Sequence, residues 1–405
     1  MEKLGEKAEA VDNSDMPSFS IAKAWASDPD RLKFSADAYA ENLSQCPVTR
    51  TPMPGAADVY HVFRAGDVTQ VCQDWQSFPS GSEKPRFGQA VIPIEIDPPM
   101  HTQYRKLLNG LMSPRRLMGY EADAREFIEE GVAKLVAHGG GDVSQLCREL
   151  PLKAFCLLLG EEDTSILEIN RKRREASPGL DDSSEEATQA RKEQLAPVRA
   201  MVRRRVEAVL ANPGDDLASE VAHGEIDGRK MTPEEAENML TILYMAGTGT
   251  TTAGMQGTLL RLAMHQDAQE ILRREPRKIA AAIEECLRLE SPTAMMPRHC
   301  AKDTEVDGHV IPAGANVFPV FGAANVDPRA FPEPEKFDID RKPRHFAFGN
   351  GIHQCVGAPL GRMQIRVLVE SMFKLTANFT LDGVPQRNIW PHSGFSELKL
   401  LVTPV

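Results

Sequence analysis

Phe348-Gly349-Asn350-Gly351-Ile352-His353-Gln354-Cys355-Val356-Gly357 is the stretch on which the reading of this 405-residue chain turns. Two glycines stand upstream of the cysteine and one downstream. Glycine accepts positive φ and lets backbone come close to a flat object. The segment places Cys355 where coil becomes helix, with a helix expected from Cys355 to about Leu375. Peptide N–H groups at a helix start can point at sulfur, and the helix dipole favours negative charge there. Both effects favour the thiolate, the form of cysteine that binds metal. A buried cysteine beside a Gly-rich turn would use the same residues.

Outward from this segment, the composition is that of an ordinary globular protein, 41% hydrophobic and 26% charged. The net charge of −11 argues weakly against nucleic acid, whose phosphates want a basic face. The seven cysteines, Cys46, Cys72, Cys147, Cys156, Cys286, Cys300 and Cys355, are scattered and form no C-x-x-C pair. A disulfide framework or structural zinc site is not expected, and the pattern suits a reducing compartment. The charged N-terminus has no apolar core of a signal peptide, and no run approaches the roughly 20 apolar residues of a membrane span. The expectation is a cytoplasmic protein with no membrane or nucleic-acid partner.

Along the chain, residues 1–18 read as a mobile polar tail and 19–405 as one domain, mainly α with a minor β portion. Val59 to Phe63 reads as a strand and Val68 to Trp75 as a short helix. Residues 79–97 form a long irregular connection, and long loops are often functional. From Pro98 to about Leu210 the pattern is mainly helical. Thr232-Pro233-Glu234-Glu235 is a capping box with proline at the first helical position, opening a long helix to about His265. A helix is expected near Pro276 to Glu290, then short strands from His299 to Val320 with Asp307-Gly308 as a hairpin turn. Residues 325–350 read as coil.

The ten-residue string fills every fixed position of F-G-x-G-x-H-x-C-x-G, and the chain resembles the cytochrome P-450 family from about residue 20 to its end. Glu285-Cys286-Leu287-Arg288 matches that family's E-x-x-R, and the coil through Pro334–Arg341 resembles the segment that follows it. The resemblance implies a long helix over haem b and a cysteine loop beneath it, with Cys355 as the axial thiolate. Thiolate ligation of haem favours O–O cleavage. Phe348, Gly349 and Gly357 would cradle the group. His101 and Arg105 are four apart on one helix face; with Arg298 and His353 they would neutralise the haem propionates. Otherwise His101 and Arg105 are a solvated helix face, and His353 a loop-stabilising hydrogen bond. Glu285, Arg288 and Arg341 would form a buried, structural charge network.

Met245 to Thr252 puts two glycines and four threonines inside the long helix, where they are poor helix formers. A small-residue packing face would explain them. Aligned with the family's A-G-x-(D/E)-T, Ala246 and Gly247 would leave room for O2, and Thr250 would hydrogen-bond it and help deliver protons. The sequence departs from the family at Gly249, where the acid belongs. Water, Thr250 and either Thr248 or Thr251 would then carry protons. A nitric oxide reductase, which needs no O–O cleavage relay, or a peroxide-driven enzyme on the same fold is an alternative; a haem-bound ligand carrier or sensor is a further one. By resemblance, the substrate pocket takes Phe87, Val91, Ile92, Ile94, Ile242, Met245, Thr293, Met295, Met296 and Phe395. This mostly apolar set suits a terpenoid, aromatic or alkyl substrate. Lys106, Arg115, Arg116, Lys342, Arg344 and Arg362 could form a basic face for an acidic ferredoxin fed by an NAD(P)H-dependent reductase, or be ordinary solvated charge.

Overall fold

The computed structural model describes residues 16–20, 38–81, 89–161, 185–388 and 394–405. The helices are α1 (Ala40–Ser44), α2 (Ala65–Gln73), α3 (Met100–Leu111), α4 (Pro114–Ala137), α5 (Ser144–Leu159), α6 (Glu185–Ala211), α7 (Leu217–Ala222), α8 (Pro233–Met264), α9 (Gln266–Arg274), α10 (Ile279–Glu290), α11 (Phe321–Ala324) and α12 (Ala358–Leu375). A four-stranded sheet runs β1 (Val48–Thr51), β2 (Val59–Val62), β6 (Asn316–Pro319) and β3 (Arg298–His299), with β2 and β6 parallel. The expected hairpin is present as β4 (Thr304–Val306) and β5 (His309–Ile311). Asp307 and Gly308 both take positive φ, 47° and 77°, as a two-residue type I′ turn requires.

Helix α8 is the axis of the fold. Its start is the expected capping box: Thr232 Oγ1 accepts from Glu235 N at 3.2 Å, and the Glu235 carboxylate accepts from Thr232 N at 2.8 Å. Within its 32 residues some threonine hydroxyls bond back one turn, which gives each of these a partner inside the helix although such bonds do not strengthen it. Thr250, Thr252 and Thr258 donate to the carbonyls of Ala246, Thr248 and Gly254 at 2.7–2.8 Å. The helix is buried nearly all round, which is what an apolar helix without a polar face demands. One end packs into a cluster with α4, α10 and α12 through Met255, Leu259 and Leu260. The other joins α3, α5, α6 and α7 through Met239, Leu240 and Tyr244.

Three readings need correcting at this level. Helix α12 begins at Ala358, three residues after Cys355, with Gly357 as N-cap and proline in the first turn, so the cysteine lies in the preceding turn. Helix α2 begins at Ala65 rather than Val68, the Ala65 N–H being capped by the Asp327 carboxylate at 3.0 Å. Of the expected tail, residues 1–15 lie outside the described residues, and Pro17 is docked: its carbonyl accepts from Arg50 N at 3.1 Å.

Candidate active site

The loop around Cys355 is closed by its own backbone. Cys355 N donates to Phe348 O and Gly349 N to Phe346 O, both at 2.8 Å. Gly349 and Gly351 take φ of 69° and 72°. A Cβ on Gly351 would run into the Cys72 carbonyl, so glycine is required there. Cys355 is reached by solvent yet has protein on most sides, as a group at the floor of a hollow does. Burial pushes its thiol up; the N–H groups of Gly357 and Ala358, together with Arg105 and Arg362, pull it back only in part. Backbone donors thus point at the sulfur as expected, but the net direction is opposite to a pre-formed thiolate. A metal that binds this sulfur displaces a proton.

Behind the loop, Glu285 and Arg288 are fully buried and joined at 2.7 and 2.8 Å, and Arg341 Nε donates to Glu285 at 3.1 Å. The three sequence-predicted members of this network come together. Arg288 also donates to the Asn325 carbonyl at 2.7 Å, and Asn325 Oδ1 accepts from Phe346 N at 2.6 Å, two residues before Phe348. A second set was not foreseen. Arg362 lies over the Phe348 ring at 4.2 Å and pairs with Glu284 at 2.6 and 2.7 Å. His345 Nδ1 accepts from Ala347 N, so its Nε2–H faces Glu284 at 3.1 Å. Burial opposes ionisation of Glu284, but Arg362 and His345 hold its carboxyl at about 2. Arg362 is therefore compensated within the chain. So is Arg116, which pairs with Glu220. Lys106, Arg115, Lys342 and Arg344 are exposed, and no ion pair engages them among the described residues.

His101, Arg105, Arg298 and His353 converge. The His101 and His353 rings stand 4.3 Å apart, and both guanidiniums act on His353. His101 is buried with its Nε2 unpartnered; burial, then His353 and Arg105, drive its pKa down to about 4. Burial also depresses both arginines, Arg298 being 5% exposed. Asp97, not singled out in the sequence, faces His353 at 3.3 Å and accepts from Ser80 N and Gly81 N. Its only sequence signal was an acid before the Pro98-Pro99 pair that leads into α3.

On α8, Ala246 and Thr250 are exposed although the helix is central, so this face of the helix is left open. Apart from the helix's own backbone and the chain neighbours, no atom lies within 4 Å of where a Cβ would stand on Gly247 or Gly249. Thr251 turns instead toward Gly361 in the first turn of α12, and Thr248 is buried on the opposite side of α8. Ile242 lies one turn before Ala246 on the same face, and Met245 packs on the Tyr104–Tyr244 cluster. Val91 and Ile92 are buried and Ile94 half-buried. Thr293 is half-buried, while Met295 and Met296 pack against the clusters around Phe63 and the four-stranded sheet. Phe87 lies outside the described residues. Phe395 is a correction: among the described residues it is a core side chain, 1% exposed under Arg387, with its N and O held by Gln256. A flat dianion with a metal centre fits this donor set. It offers an accessible sulfur, an unpartnered imidazole, two buried guanidiniums and a helix face without side chains at Gly247 and Gly249.

Comparison with known proteins agrees. The cytochrome P450 family model matches residues 163–405. Erythromycin C-12 hydroxylase of Saccharopolyspora erythraea is 32% identical over 349 residues, 81% of this chain and 85% of the relative. Linalool 8-monooxygenase of Pseudomonas putida is 29% identical over 87% of this chain and 91% of its own. The structure of CYP109E1 from Bacillus megaterium in complex with testosterone superposes with a TM-score of 0.82 at 26% identity, covering 92% of this chain and 99% of that one. With the accessible cysteine, its Gly-rich loop and the buried Glu-Arg pair in their places, the chain belongs to the cytochrome P450 family of monooxygenases.

Proposed function

We propose that Cys355 is the thiolate ligand of haem b and that His101, Arg105, Arg298 and His353 hold its propionates. The observation that carries this is the solvent-accessible Cys355 sulfur, with the Gly357 and Ala358 N–H groups turned toward it. Thiolate-bound haem supplies O2 activation, placing one oxygen atom in the substrate. The chain does the rest. Gly349 and Gly351 let the loop fold under a flat group. The Gly357 and Ala358 donors spread charge from the sulfur. The buried guanidiniums fix the orientation of an anionic edge.

Hydroxylation consumes two protons and two electrons. Gly249 brings no carboxylate, so protons arrive through water at Thr250. Its hydroxyl donates to Ala246 O at 2.7 Å and therefore faces the hollow as an acceptor. It must turn away from Ala246 to hand a proton on. Val91, Ile92, Ile94, Ile242 and Met245 bring no charge, so the substrate is an uncharged, mostly apolar compound of terpenoid, aromatic or alkyl kind. The relatives named for linalool and for erythromycin, and the neighbour holding testosterone, are in keeping with such chemistry. Electrons come from an acidic ferredoxin and its NAD(P)H-dependent reductase, received at Lys106, Arg115, Lys342 and Arg344.

The test is the optical spectrum of the purified, haem-loaded protein during titration with a panel of apolar compounds. A Soret band that shifts with one chemical class, followed by ferredoxin-dependent product, is expected. A band that no compound moves, with NAD(P)H oxidised directly under nitric oxide, would replace oxygenation by nitric oxide reduction. No Soret band after reconstitution, or an unaltered band in Cys355→Ser, would sink the assignment.

A further inference from the structure

Helix α8 grips two distant pieces of backbone with carboxamide side chains. Gln256, fully buried, donates to Phe395 O at 3.1 Å and accepts from Phe395 N at 2.8 Å. Asn238, 18 residues earlier, does the same to the loop before α3. Its Nδ2 donates to Ala90 O at 3.1 Å and its Oδ1 accepts from Ile92 N at 3.0 Å. Eighteen residues are five turns of helix, so both amides issue from one side of α8. A primary amide can donate and accept at once, as a peptide does, and satisfies the loop as a neighbouring strand would. The two sites differ in burial: Gln256 is sealed in the core, whereas Asn238 is half-buried.

The segment that Asn238 holds is small and internally closed. Glu95 N donates to Val91 O at 2.8 Å, and Val91 N donates to the Glu95 carboxylate at 3.2 Å. It carries Val91, Ile92 and Ile94, and Ile92 belongs to the same buried cluster as Tyr104 and Leu108 of α3. We propose that Asn238 is a positioning residue, a two-point latch that holds residues 89–96 against α8 and sets the rate at which ligands pass into and out of the apolar hollow. This rests on the reading of Val91 to Ile94 as a wall of the substrate pocket. Asparagine is required in full: aspartate keeps the acceptor for Ile92 N but loses the donor for Ala90 O, and alanine loses both.

The experiment uses the full-length, haem-loaded protein. Amide hydrogen exchange at Ile92 and the dissociation rates of 4-phenylimidazole and of cyanide are measured in the parent, Asn238→Ala and Asn238→Asp. In Asn238→Ala, exchange at Ile92 rises on the order of tenfold, as loss of a bond worth about one decade implies. 4-Phenylimidazole leaves several-fold faster, while cyanide, small enough to pass a closed loop, is unaffected. Asn238→Asp keeps Ile92 protected. Unchanged exchange at Ile92 in Asn238→Ala would remove the latch. Faster exchange with both ligands accelerated alike, or with neither, would leave a loop that does not control passage and overturn the proposal. A parent protein in which 4-phenylimidazole moves no Soret band would count against the pocket reading itself, and exchange at Ile92 would still decide whether Asn238 holds the loop.

Discussion

Replacing Glu285 by glutamine tests the frame beneath the cysteine loop. The Glu285 carboxylate accepts from Arg288 Nη2 and Nε at 2.7 and 2.8 Å, from Arg341 Nε at 3.1 Å and from Asp338 N at 3.3 Å. Glu285 and Arg288 side chains are 0% exposed. Glutamine keeps the shape, turns an N–H group toward a guanidinium and leaves the Arg288 charge buried without its counter-ion. Removing one partner of such a pair costs about 3–5 kcal/mol. An unfolding entropy of about 2.1 cal/mol/K per residue, over 405 residues, converts this to a loss of roughly 4–6 °C in melting temperature. The loss reaches the site, because Arg288 holds the Asn325 carbonyl and Asn325 holds Phe346 N at the entrance of the loop. Haem should therefore pass faster to a scavenger in Glu285→Gln than in the parent. The assay is thermal melting by circular dichroism beside the decay of Soret absorbance. The double variant Glu285→Gln/Arg288→Gln should lose less than the sum of the single variants, since it buries no lone charge. A single variant melting within about 1 °C of the parent, or a strictly additive double, would refute the reasoning.

Three further outcomes follow from the same geometry. Gly249→Asp should fold as well as the parent, because nothing lies within 4 Å of its Cβ and any residue but proline suits a helix interior better than glycine; product formed per NADH should rise, and a fall or no change would mean that protons already reach the oxygen by another route. His61, buried against Phe19 and Phe318, has its pKa driven down to about 4 by burial. The unfolded chain then takes up a proton between about pH 6.5 and 4 that the native protein refuses, so this contribution to stability is lost as pH falls through that window, by about 3 kcal/mol in all. Melting of His61→Phe should fall less than that of the parent between pH 7 and 5, and parallel curves would contradict this. Arg115→Glu and Lys342→Glu should raise the KM for ferredoxin and flatten its salt dependence with melting unchanged. Arg116→Glu and Arg362→Glu, whose partners Glu220 and Glu284 lie within the chain, should lower the melting temperature instead; the reverse pattern would reassign the docking face.

What the sequence determined by itself was local. The string from Phe348 to Gly357 specifies a turn that glycine favours, since both Gly349 and Gly351 take positive φ. The spacing of Glu285 and Arg288 is one helical turn, and Thr232 and Glu235 are a cap, so each pair meets wherever a helix forms. Such contacts depend on residues three or four apart and survive any arrangement of the rest. The tertiary structure decided the groups whose partners lie far along the chain. Asn238 meets Ile92 across 146 residues, Gln256 meets Phe395 across 139 and Arg362 meets Glu284 across 78. It also turned Phe395 from a pocket residue into a core residue, and neutralised two arginines that read as surface charge. A hydrophobic pattern says which side of a helix is buried and leaves open against what. Partners at such distances are chosen when helices and sheets pack, because only then does each buried polar group find the donor or acceptor that removal from water obliges it to have.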